Sequence, residues 1–447
     1  MANRLLHALA ILGATLLPPS LALGGLPIQH WQTAGGARVY FVESRDLPII
    51  DVSVDFPAGS STDTPSRSGL AAMTQRLMSL GAGGLDENQI SARLADVGAQ
   101  LGGRFDPDRA GFTLRTLSSA REREQAFDLL TRILQQPAFP TEVLEREKAR
   151  VVAALKEADT KPETIAERTF ARLVFGDHPY ALRESGEVDT VTALTREDLQ
   201  AHYRAHYRRG AAVVAIIGDL SRAQAEALAE RLTQGLPEGD SGLELPPVPL
   251  PSGEIRRINH PATQSHILLG YPGVSRNDPD YFPLYVGNYI LGGGGFVSRL
   301  NQEVREKRGL AYSVYSYFLP LKARGPFQIG LQTQKEQTGQ ALQVVRETLQ
   351  RFIAQGPTAE ELKRAKQHIV GAFPLRIDSN RKILDHLAVI GFYGLSLTYL
   401  DDFLKNVEAV TLPEIREAFK RRIDVERMVT VVVGASEPDP ESSRKRP

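Results

Sequence analysis

The hydrophobic and polar positions of this chain follow the same order in its two halves. Residues 126–134 (AFDLLTRIL) have the period of an amphipathic helix, and a Pro-Thr turn leads from them into a second amphipathic segment that ends at Leu155. Residues 341–349 (ALQVVRETL) and the following GPTAEELKRAKQHIVGAF repeat this order. Both second segments are basic and begin with acidic residues after a Thr, as many helices do. The pattern predicts an internal repeat.

The two halves also end alike and begin with similar strands. A predicted helix precedes an apolar strand in each, first at residues 195–207 and 212–218 (AVVAIIG), then at 411–421 and 429–434 (VTVVVG). Earlier strands, rich in β-branched and aromatic residues, are predicted at 38–42, 49–55, 265–270 and 327–333. This order favours an α+β fold of two homologous domains, each a mixed, mainly antiparallel sheet with helices packed on one face.

The segment between the halves has no hydrophobic period. It is dense in Pro and Gly, which is typical of an extended linker. The sequence therefore predicts a first domain at 26–235, a linker at 236–252 and a second domain at 253–436. The polar, Pro-containing tail at 437–447 is expected to be disordered.

The first 24 residues differ from the rest of the chain. Arg4 precedes a short apolar run from Leu5 to Leu17, and Ser20 and Ala22 form a small-residue cleavage pattern. These features predict a secretory signal and an exported, periplasmic protein, with an amphipathic or buried first helix as the alternative. No later segment is long and apolar enough for stable membrane insertion.

Composition excludes several other classes of protein. The chain has 447 residues, enough for two or three domains, and 42% of them are apolar. Its 53 basic and 53 acidic residues balance, so no overall field attracts nucleic acid. It has no cysteine, which excludes disulfides, thiol nucleophiles and cysteine metal sites.

Two motifs, together with the duplication, carry a family resemblance. Residues 68–78 read SGLAAMTQRLM, and residues 291–318 read LGGGGFVSRLNQEVREKRGLAYSVYSYF. Both closely resemble the pitrilysin or insulinase family of zinc peptidases, and the similarity extends over residues 28–436. The second motif is highly specific, whereas the first is identified mainly by its flanking residues.

The resemblance implies a metal site that has lost its ligands. Active members carry His-x-x-Glu-His directly after Gly-Leu-Ala, with a further Glu ligand on a later helix. On this chain the first His falls on Ala72, the Glu on Gln75 and the second His on Arg76. The later Glu aligns with Glu157, and the resemblance predicts that Arg76 replaces the zinc charge by pairing with Glu157. We therefore expect no zinc and no general base in this chain.

The same resemblance implies that the substrate-binding half of the mechanism is retained. Arg305 and Tyr312 stand seven positions apart in REKRGLAY. In the family, such an Arg orients the substrate backbone and such a Tyr helps to stabilise the oxyanion. The alternatives are a solvated helix Arg and a half-buried strand Tyr. A flexible, substrate-contacting loop, or a plain helix-ending turn, is expected at Gly292, Gly293, Gly294 and Gly295.

One histidine pair needs separate consideration. His202 and His206 lie four positions apart on a predicted helix, a spacing that can bind a metal. The neighbouring tyrosines at 203 and 207 favour packing of this helix on a sheet instead. We expect a structural role for the pair.

These features predict the non-catalytic, substrate-binding subunit of a heteromeric, exported zinc peptidase. The expected partner is a homologous chain with His-x-x-Glu-His that holds the zinc, and this chain contributes Arg305 and Tyr312 for the proteolysis of peptides. A structural or peptide-binding scaffold without peptidase function is the alternative. A peptidase that acts alone is disfavoured by Ala72 and Arg76.

Overall fold

The computed structural model describes residues 26–240 and 242–434. The predicted signal at 1–24 and the predicted tail at 437–447 lie outside the described residues. The strands are β1 (Gln29–Gln32), β2 (Arg38–Glu43), β3 (Ile49–Phe56), β4 (Gly81–Ala82), β5 (Leu85–Asp86), β6 (Gln100–Phe105), β7 (Ala110–Leu117), β8 (Val213–Gly218), β9 (Ile255–Asn259), β10 (Gln264–Pro272), β11 (Val314–Phe318), β12 (Pro326–Gln334) and β13 (Val429–Gly434). The helices are α1 (Leu70–Met78), α2 (Glu87–Asp96), α3 (Ala120–Gln135), α4 (Thr141–Ala158), α5 (Pro162–Phe175), α6 (Val188–Ala193), α7 (Arg196–His206), α8 (Arg222–Thr233), α9 (Tyr281–Asn288), α10 (Thr338–Gln355), α11 (Ala359–Ala372), α12 (Asn380–Tyr393), α13 (Tyr399–Ala409) and α14 (Leu412–Arg422).

The two sheets have equivalent topology. The first has the strand order β1-β2-β8-β3-β7-β6, and the second has the order β11-β12-β10-β13-β9. In both, one parallel pair (β2 with β8, β9 with β13) is followed by three antiparallel pairings. The strands β2-β8-β3-β7-β6 therefore correspond to β9-β13-β10-β12-β11. The prediction of two homologous α+β domains is confirmed.

One helix of each half packs on the sheet of the other half. Helix α12 from the second half packs on β2, β3 and β8, while α5 from the first half packs on β10 and β13. A side chain at Gly391 of α12 would lie 2.6 Å from the ring of Tyr40, and one at Gly270 of β10 would lie 2.3 Å from Phe170 of α5. Glycine thus permits both close approaches. The exchange explains why β8 and β13, apart from Thr430, are apolar and why both are buried at every residue.

A buried carboxylate joins the two halves. Asp108 accepts hydrogen bonds from the hydroxyls of Tyr180 (2.5 Å) and Tyr393 (2.8 Å) and from the backbone N–H of Lys322 (2.7 Å). Burial raises the pKa of Asp108. Two of its three partners come from the second half, so this network fixes the halves against each other.

The described part of the segment after α8 has no regular secondary structure, as its Pro and Gly content predicts. Residues 242–253 form no helix or strand. The carbonyl of Pro246 lies 3.1 Å from Nε2 of His178, which holds this segment against the first half. The exact domain boundaries stay predictions.

Candidate functional site

Helix α1 carries the three positions that replace the family's metal motif. Its first turn is held by Asp63, whose carboxylate oxygens accept the N–H groups of Gly69 (2.8 Å) and Ala71 (2.9 Å). Burial raises the pKa of Asp63 to about 7. Gly69 has φ 91°, and a side chain there would lie 2.9 Å from Cα of Gly186. The start of α1 is therefore closely constrained.

Arg76 is paired with a buried glutamate on α4. Its Nε atom lies 2.6 Å from Oε2 of Glu147, whose side chain is only 4% exposed. Arg146 and Arg150 approach the same carboxylate at 3.4 and 3.9 Å. A carboxylate that is taken out of water needs such partners, because an unpaired buried charge is costly.

The predicted pairing of Arg76 with Glu157 is wrong. Glu157 lies ten residues further along α4, which is about 15 Å along a helix axis. Its side chain is 71% exposed and its Oε1 lies 2.8 Å from Nζ of Lys161, which lowers the pKa of Glu157. Glu147, not Glu157, is the acidic residue that the fold places beside the degenerate motif.

The other two replaced positions are occupied differently. Gln75 donates an amide N–H to the carbonyl of Gly111 (3.1 Å), and a side chain at Gly103 would lie 2.5 Å from Gln75 Nε2. The glycine on β6 thus lets the amide reach across to β7. A glutamate could not donate this bond. Ala72, one turn before Arg76, is half-buried and offers no polar atom.

An open cavity of about 1140 Å³ surrounds this part of the molecule. Three guanidinium groups reach it, from Arg76, Arg146 and Arg150, together with the carboxylates of Glu87 and Glu147. Its apolar wall is formed by Leu80, Ile90, Leu94, Ala95, Ala99, Leu101 and Phe112. Strand β6 borders the cavity as the last strand of its sheet, so its outer edge has no pairing strand in residues 26–240 and 242–434.

The glycine-rich segment of the second half begins in one wide helical turn and leads towards a second. Residues Tyr289–Gly293 and Asn301–Glu306 are π-helical, a geometry that is often found at functional sites. Gly295 has φ 62°, and space around its Cα is open. Phe296 and Val297 follow with 67% and 66% of their surface exposed. The segment is therefore a projecting loop, as well as the end of a helix.

Arg305 and Tyr312 lie together on this surface. The guanidinium carbon of Arg305 is 5.1 Å from the ring centre of Tyr312 and 4.6 Å from that of Phe296, so the cation is stacked on both aromatic rings. Tyr312 is 82% exposed. Across the described part of the chain its hydroxyl has no hydrogen-bond partner, and the nearest acid to Arg305 is Glu306 at 3.7 Å. Both polar groups are available to another molecule.

The neighbouring basic residues are engaged in a local network. Arg308 donates to the carboxylate (2.8 Å) and to the backbone carbonyl (2.7 Å) of Glu303, and Lys307 pairs with the same carboxylate (2.6 Å). These contacts lower the pKa of Glu303. They stabilise the π-helical turn that presents Arg305.

The histidine pair has the structural role that was expected. His202 is buried, its Nε2 lies 3.0 Å from the hydroxyl of Thr62, and its ring centre is 4.5 Å from that of His206. Burial and the neighbouring His206 lower the pKa of His202 to about 3. Among residues 26–240 and 242–434, no group of three or more His, Cys, Asp or Glu side chains could hold a metal ion.

Comparison with known proteins decides the family. Residues 38–183 match the family model described as Insulinase (Peptidase family M16), and residues 193–369 match the model described as Peptidase M16 inactive domain. A crystal structure of a peptidase M16 inactive domain from Pseudomonas fluorescens is 37% identical, covers 92% of this chain and 99% of that chain, and has a TM-score of 0.89. The chain belongs to the insulinase family. Its second half is of the inactive-domain type.

Relatives of this insulinase-family chain carry two kinds of name. An uncharacterized zinc protease from Streptomyces coelicolor is 27% identical over 391 residues, with 86% of this chain and 84% of that protein aligned. A non-peptidase homolog from Helicobacter pylori is 25% identical over 407 residues, with 90% and 92% aligned. The family therefore contains both kinds of protein over nearly the whole length of this chain.

The zinc of the active insulinase family does not fit the residues of this chain. Catalytic zinc needs three protein ligands, and neither Ala72 nor Arg76, at the positions of the two motif histidines, can supply one beside Glu147. Arg76 already neutralises that carboxylate and places a permanent cation at the position of a ligand. The prediction that the chain holds no zinc follows from this donor set.

Sequence reasoning missed two residues of the candidate sites. Glu147 and Glu157 both lie on α4 in acidic, helix-forming contexts, and only the contact with Arg76 separates them. Phe296 could have been noticed in the sequence, since an aromatic residue directly after four glycines lies outside any regular hydrophobic pattern.

No helix in the described part of the molecule is long and apolar enough to cross a membrane.

Proposed function

We propose that this chain is the non-catalytic, substrate-binding subunit of an exported, two-chain zinc peptidase. Its Arg305 and Tyr312 orient a peptide at the zinc site of a homologous partner chain that carries His-x-x-Glu-His. The observation that carries the proposal is the exposure of Tyr312 (82%) beside a stacked Arg305. A large aromatic side chain with a free hydroxyl on a folded surface is typical of a contact site.

The chemistry of the pair suits a peptide bond that is being cleaved. Contact with the rings of Phe296 and Tyr312 limits the positions that the guanidinium of Arg305 can adopt, and its N–H groups remain free to donate to peptide carbonyls. The hydroxyl of Tyr312 is a single donor that can meet a carbonyl oxygen as it gains negative charge. Neither group can start hydrolysis, since neither activates a water molecule.

The proposed binding of zinc by the partner chain explains why the first half of this chain has lost its metal ligands. The partner supplies zinc, which polarises the carbonyl and activates water when bound. This chain needs no metal, and its Arg76–Glu147 pair keeps the α1–α4 contact closed without one. We propose accordingly that this chain holds no zinc of its own.

The location of the complex is part of the proposal. Residues 1–24 have the charge and apolar pattern of a secretory signal, so we propose that both chains meet in the periplasm.

The test is co-purification followed by reconstitution. An affinity-tagged copy of this chain should retain a chain with His-x-x-Glu-His from a periplasmic extract, and the two purified chains should cleave a quenched fluorescent peptide only when mixed. Full activity of the partner chain alone would instead make this chain a structural or peptide-binding scaffold. No association between the chains would contradict the proposal altogether.

A further inference from the structure

The cavity beside α1 has an excess of positive charge. Arg146 lies between two carboxylates, 2.5 Å from Glu87 and 3.4 Å from Glu147. Arg76 uses its Nε atom for Glu147, while Arg150 is 71% exposed and comes no closer than 3.9 Å to that carboxylate. Three cations thus face two anions in one cavity. One further carboxylate would make the number of negative charges in the cavity equal to the number of positive charges.

Apolar surface lies next to this charge. Leu80 follows the end of α1, four residues after Arg76, and lines the same cavity. Leu94 of α2 and Leu101 of β6 are half-buried and complete an apolar wall. A ligand for this cavity must therefore present a negative charge and an apolar group close together.

A third feature of the cavity suits an extended chain. Strand β6 pairs with β7 on one side, and its other side borders the cavity with exposed Gly103. Backbone donors and acceptors at the free edge of a strand can pair with an extended peptide. The volume of about 1140 Å³ also exceeds that of an ordinary small-molecule pocket.

We infer that this cavity binds the free C-terminus of a peptide whose last residue is apolar. The terminal carboxylate lies at Arg76 and Arg150, and the last side chain packs against Leu80, Leu94 and Leu101. A C-terminal residue carries its carboxylate and its side chain on one Cα atom, which matches the adjacent charge and apolar wall. An internal Glu or Asp side chain offers the same charge without the apolar group beside it. The site lies in the half that lost the metal motif and is separate from Arg305 and Tyr312.

The test uses the full chain alone, so it does not depend on the proposed partner. A fluorescein-labelled hexapeptide that ends in leucine is titrated with protein, and binding is followed by fluorescence anisotropy. The free acid should bind at least about tenfold more tightly than the C-terminal amide, because a charge-assisted contact is lost. A third peptide has an amidated end and an internal glutamate, and it should bind as weakly as the amide.

Variants locate the site. Arg76→Gln and Arg150→Gln should each weaken binding of the free acid, while Arg93→Gln, an exposed position of α2 that does not line the cavity, should not. Arg150 contributes little to holding Glu147, so its variant tests the site even if Arg76→Gln fails to fold. The inference is overturned by equal binding of acid and amide, by equal binding of the internal-glutamate peptide, by undetectable binding, or by arginine variants that behave like Arg93→Gln.

Discussion

Arg76 and Glu147 form an ion pair, Nε to Oε2 at 2.6 Å, where active relatives are expected to bind zinc. The pair links α1 to α4 and leaves a guanidinium at the position of a metal ligand. Helix geometry alone could not have identified Glu147, since α4 offers several glutamates on different turns. The identity of this glutamate leads to a direct test.

Restoring the family motif should restore a metal site that depends on Glu147. The triple variant Ala72→His, Gln75→Glu, Arg76→His places two imidazoles one turn apart on α1, facing a carboxylate that already contacts position 76. We expect about one zinc per chain by elemental analysis after dialysis, in line with a three-ligand site. Adding Glu147→Gln should abolish it, whereas adding Glu157→Gln should not. Loss of zinc with Glu157→Gln, but not with Glu147→Gln, would show that Glu157 is the metal ligand.

Substitutions of Arg305 and Tyr312 should lower the turnover of the reconstituted pair without affecting the folding of this chain. In the reconstituted pair, Tyr312→Phe removes one donor to the developing oxyanion, so kcat should fall by about 10²–10³ while the complex still assembles. Arg305→Ala should change both KM and kcat, because the guanidinium contacts the peptide before and during cleavage.

The control for these variants must avoid the local network of Arg305. Arg308 is unsuitable, because it holds the π-helical turn through Glu303. Arg364→Ala is better matched, since that side chain is 71% exposed and, within residues 26–240 and 242–434, pairs only with Glu360 at 3.2 Å. If all three variants keep full activity, this chain acts as a scaffold.

The buried imidazole of His202 should lower the stability of the protein in mild acid, because the unfolded chain takes up a proton there that the folded protein does not. Its pKa is about 3 in the folded protein and about 6.5 in an unfolded chain, so the unfolded state binds more protons between these values. The free energy of unfolding should therefore decrease as the pH is lowered from about 6.5 towards 3, by up to about 4 kcal/mol from this group. Urea denaturation of His202→Gln should show a weaker pH dependence over that window. His30→Gln, at an exposed position of β1, is the control.

Asp108 should be required for cooperative unfolding of the two halves. Asp108→Ala leaves two tyrosine hydroxyls and the N–H of Lys322 without their buried acceptor. We expect a loss of about 3 kcal/mol or more. The single tryptophan, Trp31, reports on the first half, and circular dichroism reports on both. The two unfolding curves should coincide in the wild type and separate in the variant.

A second contact between the halves supplies the control for Asp108. Asp385 pairs with Arg104 at 2.5 Å, and its side chain is 54% exposed. Asp385→Ala should cost less than about 1 kcal/mol, because solvent weakens exposed pairs. Equal effects of the two variants would show that burial of Asp108 has no special importance.

Much of this protein could be read from the order of its residues. The repeated helix and strand patterns predicted two homologous domains, because amphipathic period and helix-start residues are local properties of the chain. The motif around residues 291–318 identified the insulinase family, and the residues at 72, 75 and 76 showed that the metal ligands are absent. Arg305 and Tyr312 are seven residues apart, so their proximity was also within reach of local reasoning.

Tertiary structure decided which distant residues meet. Glu147 and Glu157 are alike in sequence, and only the packing of α4 on α1 places Glu147 beside Arg76 and leaves Glu157 in solvent. The exchange of α5 and α12 between the sheets could not be predicted either, since an apolar helix face does not specify which apolar sheet will cover it. Stacking of Phe296 on Arg305 depends on a turn through Gly295. Local patterns determine the elements, whereas contacts between remote segments are chosen by the complementarity of whole surfaces.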